Sequence, residues 1–435
     1  MKSLKNILLS ATLLTCATQA SYAASLTEAV TKAMQTNPEV LIAHRGKDAI
    51  EQEVRQAKAG YLPTVDLTIG TGHERSNNAT TRNRADRGDN TGGHRSLWRN
   101  EARLIARQMI FDGCETCHNV DQQENRLESS IKNTNEVRQN VALRVVQAYL
   151  DVMRNNELVK LAQNNVDNHK KYLKQIEARS TSGRGNKADI RQAEGRLALA
   201  ESTLYAAQGE LKNAHAAYVE IVGEKAEKLE NYTAPKSLMP ATRDDAVARA
   251  IENNPAIHSA QYDIYAAQSA YRATKSVFYP RLDLELEAQR ARNLDGSDEA
   301  NNSYMAMARI SYNLYNGGAD LARKRQQSAR VSEARDTLER DRREVEERMF
   351  EAWNNLETAK MRLKPLSSHV GSSEETKKAY KSQFDIGQRS LLDLLDTEVE
   401  YFNAKTAYIN GQYAVDFAMY NVLATTGDIM LAFEE

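Results

Sequence analysis

Apolar side chains recur at alternating intervals of four and three residues along much of the chain, which is the spacing of a coiled-coil seam. One seam crosses 141–176, and another crosses 190–214. The first seam is repeated 204 residues later, beginning at Val345. This pattern predicts two helical hairpins, over 119–222 and 319–427.

The helix predicted over 119–181 contains no proline or glycine, and at about 1.5 Å per residue it would be roughly 90 Å long. A globular domain does not bury a rod of that length. The expected partners are two shorter helices stacked end to end, one between Pro38 and Gly60 and one over 187–222. Alanine at many seam positions would let the helices approach closely.

The second half of the chain predicts the same architecture. Helices over 255–278 and 390–426 would stack beside one long helix over 319–384. Pro365 and Gly371 lie inside that long helix, and they are expected to interrupt it and bend it locally.

A duplication relates the two halves. Asn37-Pro38 is matched by Asn254-Pro255, 217 residues later, and each pair opens a predicted helix. The predicted organisation is a first structural repeat at 24–230, a proline-containing linker at 231–241 and a second structural repeat at 242–435.

Between the short and long helices, apolar and charged residues alternate with a period of two, as in a β-strand with two different faces. The clearest case has Leu282, Leu284 and Leu286 interleaved with Asp283 and Glu285. Each predicted strand is long enough to cross a bilayer within a barrel. The four strands are predicted at about 64–76, 98–111, 281–292 and 303–315.

Four strands cannot close a barrel, and lipid does not tolerate open sheet edges. The chain is therefore expected to borrow strands from copies of itself, and three copies would supply twelve strands. Two alternatives are a soluble two-sheet protein with attached helices and a periplasmic coiled coil without a pore. The charged strand faces and the strict alternation argue against both.

The first residues are typical of a secretory signal peptide over 1–23. Lys2 and Lys5 precede a short apolar stretch that ends in small residues at Ala23. Cys16 lies in a lipobox-like context, so lipidation is an alternative. A formal net charge of −1 argues against a nucleic-acid partner. The mean hydropathy of −0.64 excludes a bundle of membrane-spanning helices.

Several motifs resemble the TolC family of outer-membrane channel proteins, over the whole predicted mature chain. They are the duplication, the matched prolines, the strand end Phe111-Asp112-Gly113, and the run Gly-Gln-Arg-Ser-Leu-Leu-Asp-Leu-Leu-Asp at 387–396. The resemblance implies an α+β membrane protein that forms a homotrimer. Its four transmembrane β-strands per chain would close a twelve-stranded barrel in the outer membrane, above a periplasmic tunnel of coiled-coil helices.

The runs at 148–159 and 188–194 look most like the branch of that family that serves type I secretion. That branch implies a passive exit channel for a protein, such as a large adhesin or toxin. Its partners would be a periplasmic adaptor (membrane fusion) protein and an inner-membrane ABC transporter. Drug or small-solute efflux with another pump is the alternative. No enzyme or cofactor is expected, because no nucleophile–base pair, phosphate loop or closed metal set appears.

Asp393 and Asp396 lie three residues apart and therefore share one helix face. In a trimer that face would meet its copies at the tunnel axis, where two rings of carboxylates would narrow the pore and favour cations. By resemblance they match the acidic constriction of the periplasmic gate. The alternative is two solvated acids at a helix start, where the helix dipole favours them.

The resemblance also implies polar links between the two hairpins that keep the gate shut. Arg389 and Asp189 are the expected pair, and Phe384 stands where the family often has a tyrosine, so one link is absent or replaced. The alternative is an exposed ion pair of little energetic weight. Gly183 and Gly387 lie in the hairpin turns, where family members dock an adaptor; a turn that requires positive φ is the other interpretation.

Cys114 and Cys117 are the only cysteines beyond the predicted signal peptide, and His118 follows them directly. The spacing matches a c-type haem attachment motif, but no second axial ligand is evident. A short disulfide in the oxidising periplasm is the expected state, with free thiols or an intermolecular link as alternatives. No metal site is predicted, because two cysteines and one histidine lack a fourth ligand.

Overall fold

The computed structural model describes residues 25–85, 93–181, 186–225 and 229–433. The predicted signal peptide at 1–23, with its Cys16, lies outside the described residues, and so does Gly183.

The two halves follow the same order of elements, except that an α-helix lies between the strands of the first half and a 3₁₀ turn between those of the second. The first contains α1 (Leu26–Thr36), α2 (Pro38–Ala59), β1 (Thr64–Ser76), α3 (Ala79–Ala85), β2 (Arg95–Phe111), α4 (Glu115–Thr181) and α5 (Lys187–Val222). The second contains α6 (Arg243–Asn253), α7 (Pro255–Ala273), β3 (Arg281–Arg292), β4 (Ala300–Ser311), α8 (Ala319–Asp385) and α9 (Leu391–Thr426). Short 3₁₀ turns occupy Lys236–Leu238, Ser276–Phe278, Leu294–Gly296 and Ile429–Phe433.

The short helices stack end to end through a repeated asparagine contact. The Asn37 amide donates to the backbone carbonyl of Ile221 at the end of α5, at 3.0 Å. The Asn254 amide donates in the same way to the carbonyl of Thr425 at the end of α9, also at 3.0 Å. Each asparagine also caps its own helix, because its side-chain oxygen accepts from the backbone N–H two residues on. One side chain therefore satisfies the end of one helix and the start of the next.

The four strands form one antiparallel sheet in the order β1-β2-β3-β4. β1 and β3 have the predicted bounds, and β2 begins at Arg95, three residues before the prediction. β4 ends at Ser311 and not at 315, because the Asn313 side chain accepts from the backbone N–H of Tyr315 and turns the chain. β1 and β4 are the two edges of the sheet.

The two faces of the sheet differ in chemistry. On one face, pairs such as Leu67–Leu104 lie opposite each other, and the large apolar side chains of this face are exposed, among them Val65, Ile69, Leu286 and Ile310. The other face carries ion pairs between strands, including Arg103–Glu287 at 2.7 Å and Arg309–Glu285 at 3.1 Å.

The core follows the long helices α4 and α8, which have 67 residues each and are roughly 100 Å long. α8 continues as one helix through Pro365 and Gly371, so the predicted interruption is wrong. Pro365 is exposed, and so is Met361, whose carbonyl loses its helical partner to the proline. Solvent can therefore replace the missing hydrogen bond. No helix in the described ranges combines the length and apolarity needed to cross a membrane.

Candidate gate at the hairpin tips

The two predicted constriction carboxylates lie in the first turns of α9, immediately after the tip of the second hairpin. Ser390 caps this helix by accepting from the backbone N–H of Asp393 at 3.2 Å. The Asp396 carboxylate pairs with Arg196 on α5, with 2.7 Å between Nη2 and Oδ1. Sequence reasoning assigned no partner to either carboxylate, and their place in a constriction stays a prediction. Among the described residues, the ion pair that Asp393 makes is with Arg389, at 3.7 Å.

Arg389 makes its contacts within its own hairpin. Its Nε donates to Gln383 at 2.9 Å, and its guanidinium lies 4.1 Å from the centre of the Tyr380 ring. Among the described residues of one chain, no hydrogen bond or ion pair joins Arg389 to Asp189. The predicted link therefore stays a prediction.

Phe384 is buried at the C-terminal end of α8, in an apolar cluster where the two hairpins meet. The cluster also contains Tyr172, Ile176, Ala193, Leu391, Leu394 and Leu395. The Arg179 guanidinium lies 4.2 Å from the centre of the Phe384 ring. Its Nη2 donates to the carbonyls of Phe384 and Asp385, at 3.0 and 3.3 Å. Arg179 thus satisfies the last carbonyls of α8 from the other hairpin.

Sequence reasoning missed Arg179. The available signal was a basic residue in the last turn of α4, a position where cations are favoured at helix ends.

A buried carboxylate gives a second connection between the hairpins. Glu398 on α9 is 2% exposed. It accepts from Asn168 at 2.7 Å and from the Tyr172 hydroxyl at 3.1 Å, both on α4. Lys377 on α8 lies 3.5 Å away. Burial, and next the charge of Glu398, raises the pKa of Tyr172, so this hydroxyl remains a donor. The network joins three helices around one charge, and sequence reasoning missed all of it.

His169 is buried beside this network, with its ring centre 6.3 Å from that of Tyr172. Burial lowers the pKa of His169, and Arg196 adds to this, whereas Glu398 opposes it. The lowered pKa means that the unfolded tip binds protons more readily than the folded tip. Stability contributed by neutral His169 is therefore complete above its ordinary pKa and is lost as pH falls through the lowered one.

We expect acidification below about pH 6.5 to destabilise the hairpin tips, by up to about 1.4 kcal/mol per pH unit while His169 titrates. Hydrogen–deuterium exchange of the tip, measured across this pH range, reads the change directly. His169→Asn should flatten the response, whereas the exposed His369→Asn should leave it intact. An identical pH response in His169→Asn would show that another group is responsible.

Comparison with known proteins places this geometry in a family. Residues 29–224 and 246–428 match the family model described as outer membrane efflux protein. The chain belongs to this family. Similar proteins include the outer membrane efflux protein BepC of Brucella suis, 26% identical over 97% of this chain and 89% of that protein, and the outer membrane protein TolC of Vibrio cholerae, 23% identical over 95% and 92%.

A solved structure supports the same fold. The Campylobacter jejuni CmeC outer membrane channel has a TM-score of 0.80 at 14% identity, covering 93% of this chain and 86% of that one. The predicted TolC-family resemblance and the predicted α+β architecture are confirmed. The chain accordingly resides in the outer membrane, and its long hairpins form the periplasmic helical part.

Of the two predicted docking turns, the structure describes only the second. Gly387 has φ of 81°, and its N–H donates to the Phe384 carbonyl at 3.0 Å, which closes α8. A side chain at Gly387 would have space but a strained backbone. The positive φ of this turn therefore accounts for the glycine, and docking of an adaptor there stays a prediction.

Cys114 and Cys117 lie where β2 leads into α4, at the opposite end of α4 from the hairpin tip. Both thiols are free, so the expected disulfide is not formed in the structure. Ligand atoms of Cys117, His118 and Asp121 lie within 4.8 Å of one another. Asp121, one helical turn beyond His118, adds a carboxylate that sequence reasoning did not consider, whereas Cys114 lies outside this group of three.

Proposed function

We propose that this outer membrane efflux protein is the exit channel of a tripartite type I secretion system that exports a protein. It would act as a homotrimer, with a periplasmic adaptor and an inner-membrane ABC transporter as partners. Export through it is passive, because the driving energy would come from the transporter.

The main support for a trimer is the four-stranded sheet. β1 and β4 have unpaired edges, and one face presents exposed apolar side chains while the other is charged. Pairing of β4 with β1 of the next chain would remove the edges, and three chains would then enclose a twelve-stranded barrel with the apolar face in lipid. The hairpins would line a tunnel that continues from the barrel into the periplasm.

Protein export is supported by the sequence runs of the secretion branch and by relatives whose names describe it. One relative is the proteases secretion protein PrtF of Dickeya chrysanthemi, 22% identical over 94% of this chain and 89% of that protein. Efflux of small solutes is the second candidate function, and the similarity to BepC, which is named an efflux protein, favours it.

The hairpin tips would be the gate of this channel. The contacts of Arg179, Glu398 and Arg196 join the two hairpins of one chain, so they would hold the closed state. The link between Arg389 and Asp189 of neighbouring chains would add to it. Asp393 would line the constriction, and an adaptor bound at the turns with Gly183 and Gly387 would open the gate by separating the hairpins.

The substrate class is tested by comparing the proteins on the cell surface and in the medium of cells with and without this gene, with a complemented strain as control. We expect the loss of one or a few very large proteins, restored by complementation. An unchanged protein profile together with increased sensitivity to toxic small molecules would contradict protein export and favour efflux.

Asp393→Asn is expected to lower the cation preference of the trimeric channel. A carboxylate about 8 Å from a passing ion in water contributes roughly 0.5 kcal/mol, which is about twofold in permeability for each carboxylate of the ring. Asp396→Asn should have a smaller effect, because Arg196 already pairs with that carboxylate. Reversal potentials across a salt gradient in planar bilayers measure both. An unchanged potential in Asp393→Asn would place this residue outside the constriction.

A further inference from the structure

Four residues of metal-binding types lie near the point where the sheet joins the long helix. Cys117, His118 and Asp121 lie in the first turns of α4, and their ligand atoms are within 4.8 Å of one another. Cys114 immediately precedes the helix. All three helical residues are partly buried, so the group is neither a surface cluster of acids nor an isolated thiol.

The local backbone is held in place from two sides. Asp112 accepts from the backbone N–H and the hydroxyl of Thr116, at 2.8 and 2.6 Å, and so caps the start of α4. Cys114 has φ of 67°, which is unusual for a residue with a side chain. A Cβ on Gly60 would lie 2.9 Å from the Thr116 side chain, so the end of α2 packs directly on this turn. These contacts fix the backbone at Cys114, which carries the first of the two thiols.

One of the donor atoms lacks a hydrogen bond. His118 Nδ1 is inaccessible to solvent and makes no hydrogen bond, and the nearest Asp121 oxygen is 3.5 Å away. The Cys117 thiol lies within hydrogen-bond reach of the Cys114 thiol and of the Tyr61 hydroxyl. The His118 imidazole and the Asp121 carboxylate lie beside the Cys117 thiol.

We propose that Cys114, Cys117, His118 and Asp121 form a binding site for one zinc-class divalent cation. Two thiolates, an imidazole and a carboxylate are a four-donor set that suits tetrahedral coordination of such an ion. Each thiol releases its proton to solvent as its sulfur binds the ion. The ligand atoms of Cys117, His118 and Asp121 already lie within 4.8 Å of one another and would close by about 1 Å on a tetrahedral ion. The exposed Cys114 lies outside that group of three, and rotation of its side chain would bring its thiol in as the fourth donor.

The bound ion would fasten the start of α4 to the end of β2, at the junction between the sheet and the helices. This proposal does not depend on the exported substrate or on the gate. It also opposes the disulfide predicted from the sequence, since oxidised cysteines cannot supply two thiolates.

The test uses the full mature protein extracted in detergent without reductant, with Co²⁺ as the probe. We expect two titratable thiols per chain, one bound Co²⁺ per chain, a thiolate-to-cobalt charge-transfer absorption, and displacement by Zn²⁺. Cys117→Ser and Asp121→Asn should weaken Co²⁺ binding by more than the roughly 10–100-fold that loss of an outer-sphere partner causes. Asp48→Asn, on α2 four residues after His44, is the matched control and should bind Co²⁺ normally.

Three results would overturn the proposal. One is a protein isolated with a Cys114–Cys117 disulfide and no titratable thiols. Another is a protein with free thiols that gives no charge-transfer absorption. The last is an absorption that Asp121→Asn and His118→Asn leave unchanged, which would show a thiol complex without the other two donors.

Discussion

Glu398→Leu is expected to destabilise the hairpin tips by about 3–5 kcal/mol, the usual cost of removing one partner of a buried ion pair. The leucine would leave Lys377 without its carboxylate, and it would leave Asn168 and the Tyr172 hydroxyl without their acceptor. Because these partners come from α4 and α8, the loss should appear as local opening between hairpins. Hydrogen–deuterium exchange of the tip segments measures that opening.

Two further variants serve as controls for Glu398→Leu. Glu400→Leu makes the same change two residues away on α9, at a side chain that is largely exposed, and should leave exchange unchanged. Glu398→Gln keeps one acceptor and should fall between the wild type and the leucine variant. If Glu398→Leu and Glu400→Leu showed equal protection from exchange, the contacts of Glu398 would not contribute to the stability of the tips.

Arg179→Ala is expected to shift the tips toward separated hairpins. The change removes two charge-assisted hydrogen bonds to the end of α8 and the guanidinium–ring contact with Phe384. Together these contribute about 2–3 kcal/mol. That free energy corresponds to a roughly 30- to 150-fold larger open population. Cells should then admit a large hydrophilic antibiotic that the outer membrane normally excludes.

Arg191→Ala is the matched control, because Arg191 is exposed on the neighbouring helix and pairs only with Glu194 of its own helix among the described contacts. It should leave antibiotic entry at the wild-type level. Equal sensitivity of the two variants would indicate general damage to the outer membrane and would remove Arg179 from the gate.

Much of the fold could be predicted from the sequence, because each element carries its own local pattern. The strict alternation around Leu284 predicts a strand without any knowledge of the strands with which it pairs. Asn37 and Asn254 mark helix starts by capping, which needs only neighbouring residues. The exceptions are also local in origin: β4 ends early at the Asn313 turn, and α8 tolerates Pro365 because the position is exposed.

The gate network could not be predicted in the same way. Asn168 and Glu398 are 230 residues apart, and their contact depends on how two long hairpins align lengthwise. A shift of one helical turn, about 5.4 Å, would separate them entirely. Heptad spacing determines which face of each helix is buried and leaves that alignment open. For the same reason Arg196 could not be recognised as the partner of Asp396.

The central claim is that contacts between the two hairpins keep the channel closed at its periplasmic tip. Single-channel conductance in planar bilayers, compared between the wild type and the double variant Arg179→Ala/Glu398→Leu, tests it most directly. We predict low conductance for the wild type and a clearly higher, sustained conductance for the double variant. Equal conductance of the two proteins, whether both low or both high, would contradict the account.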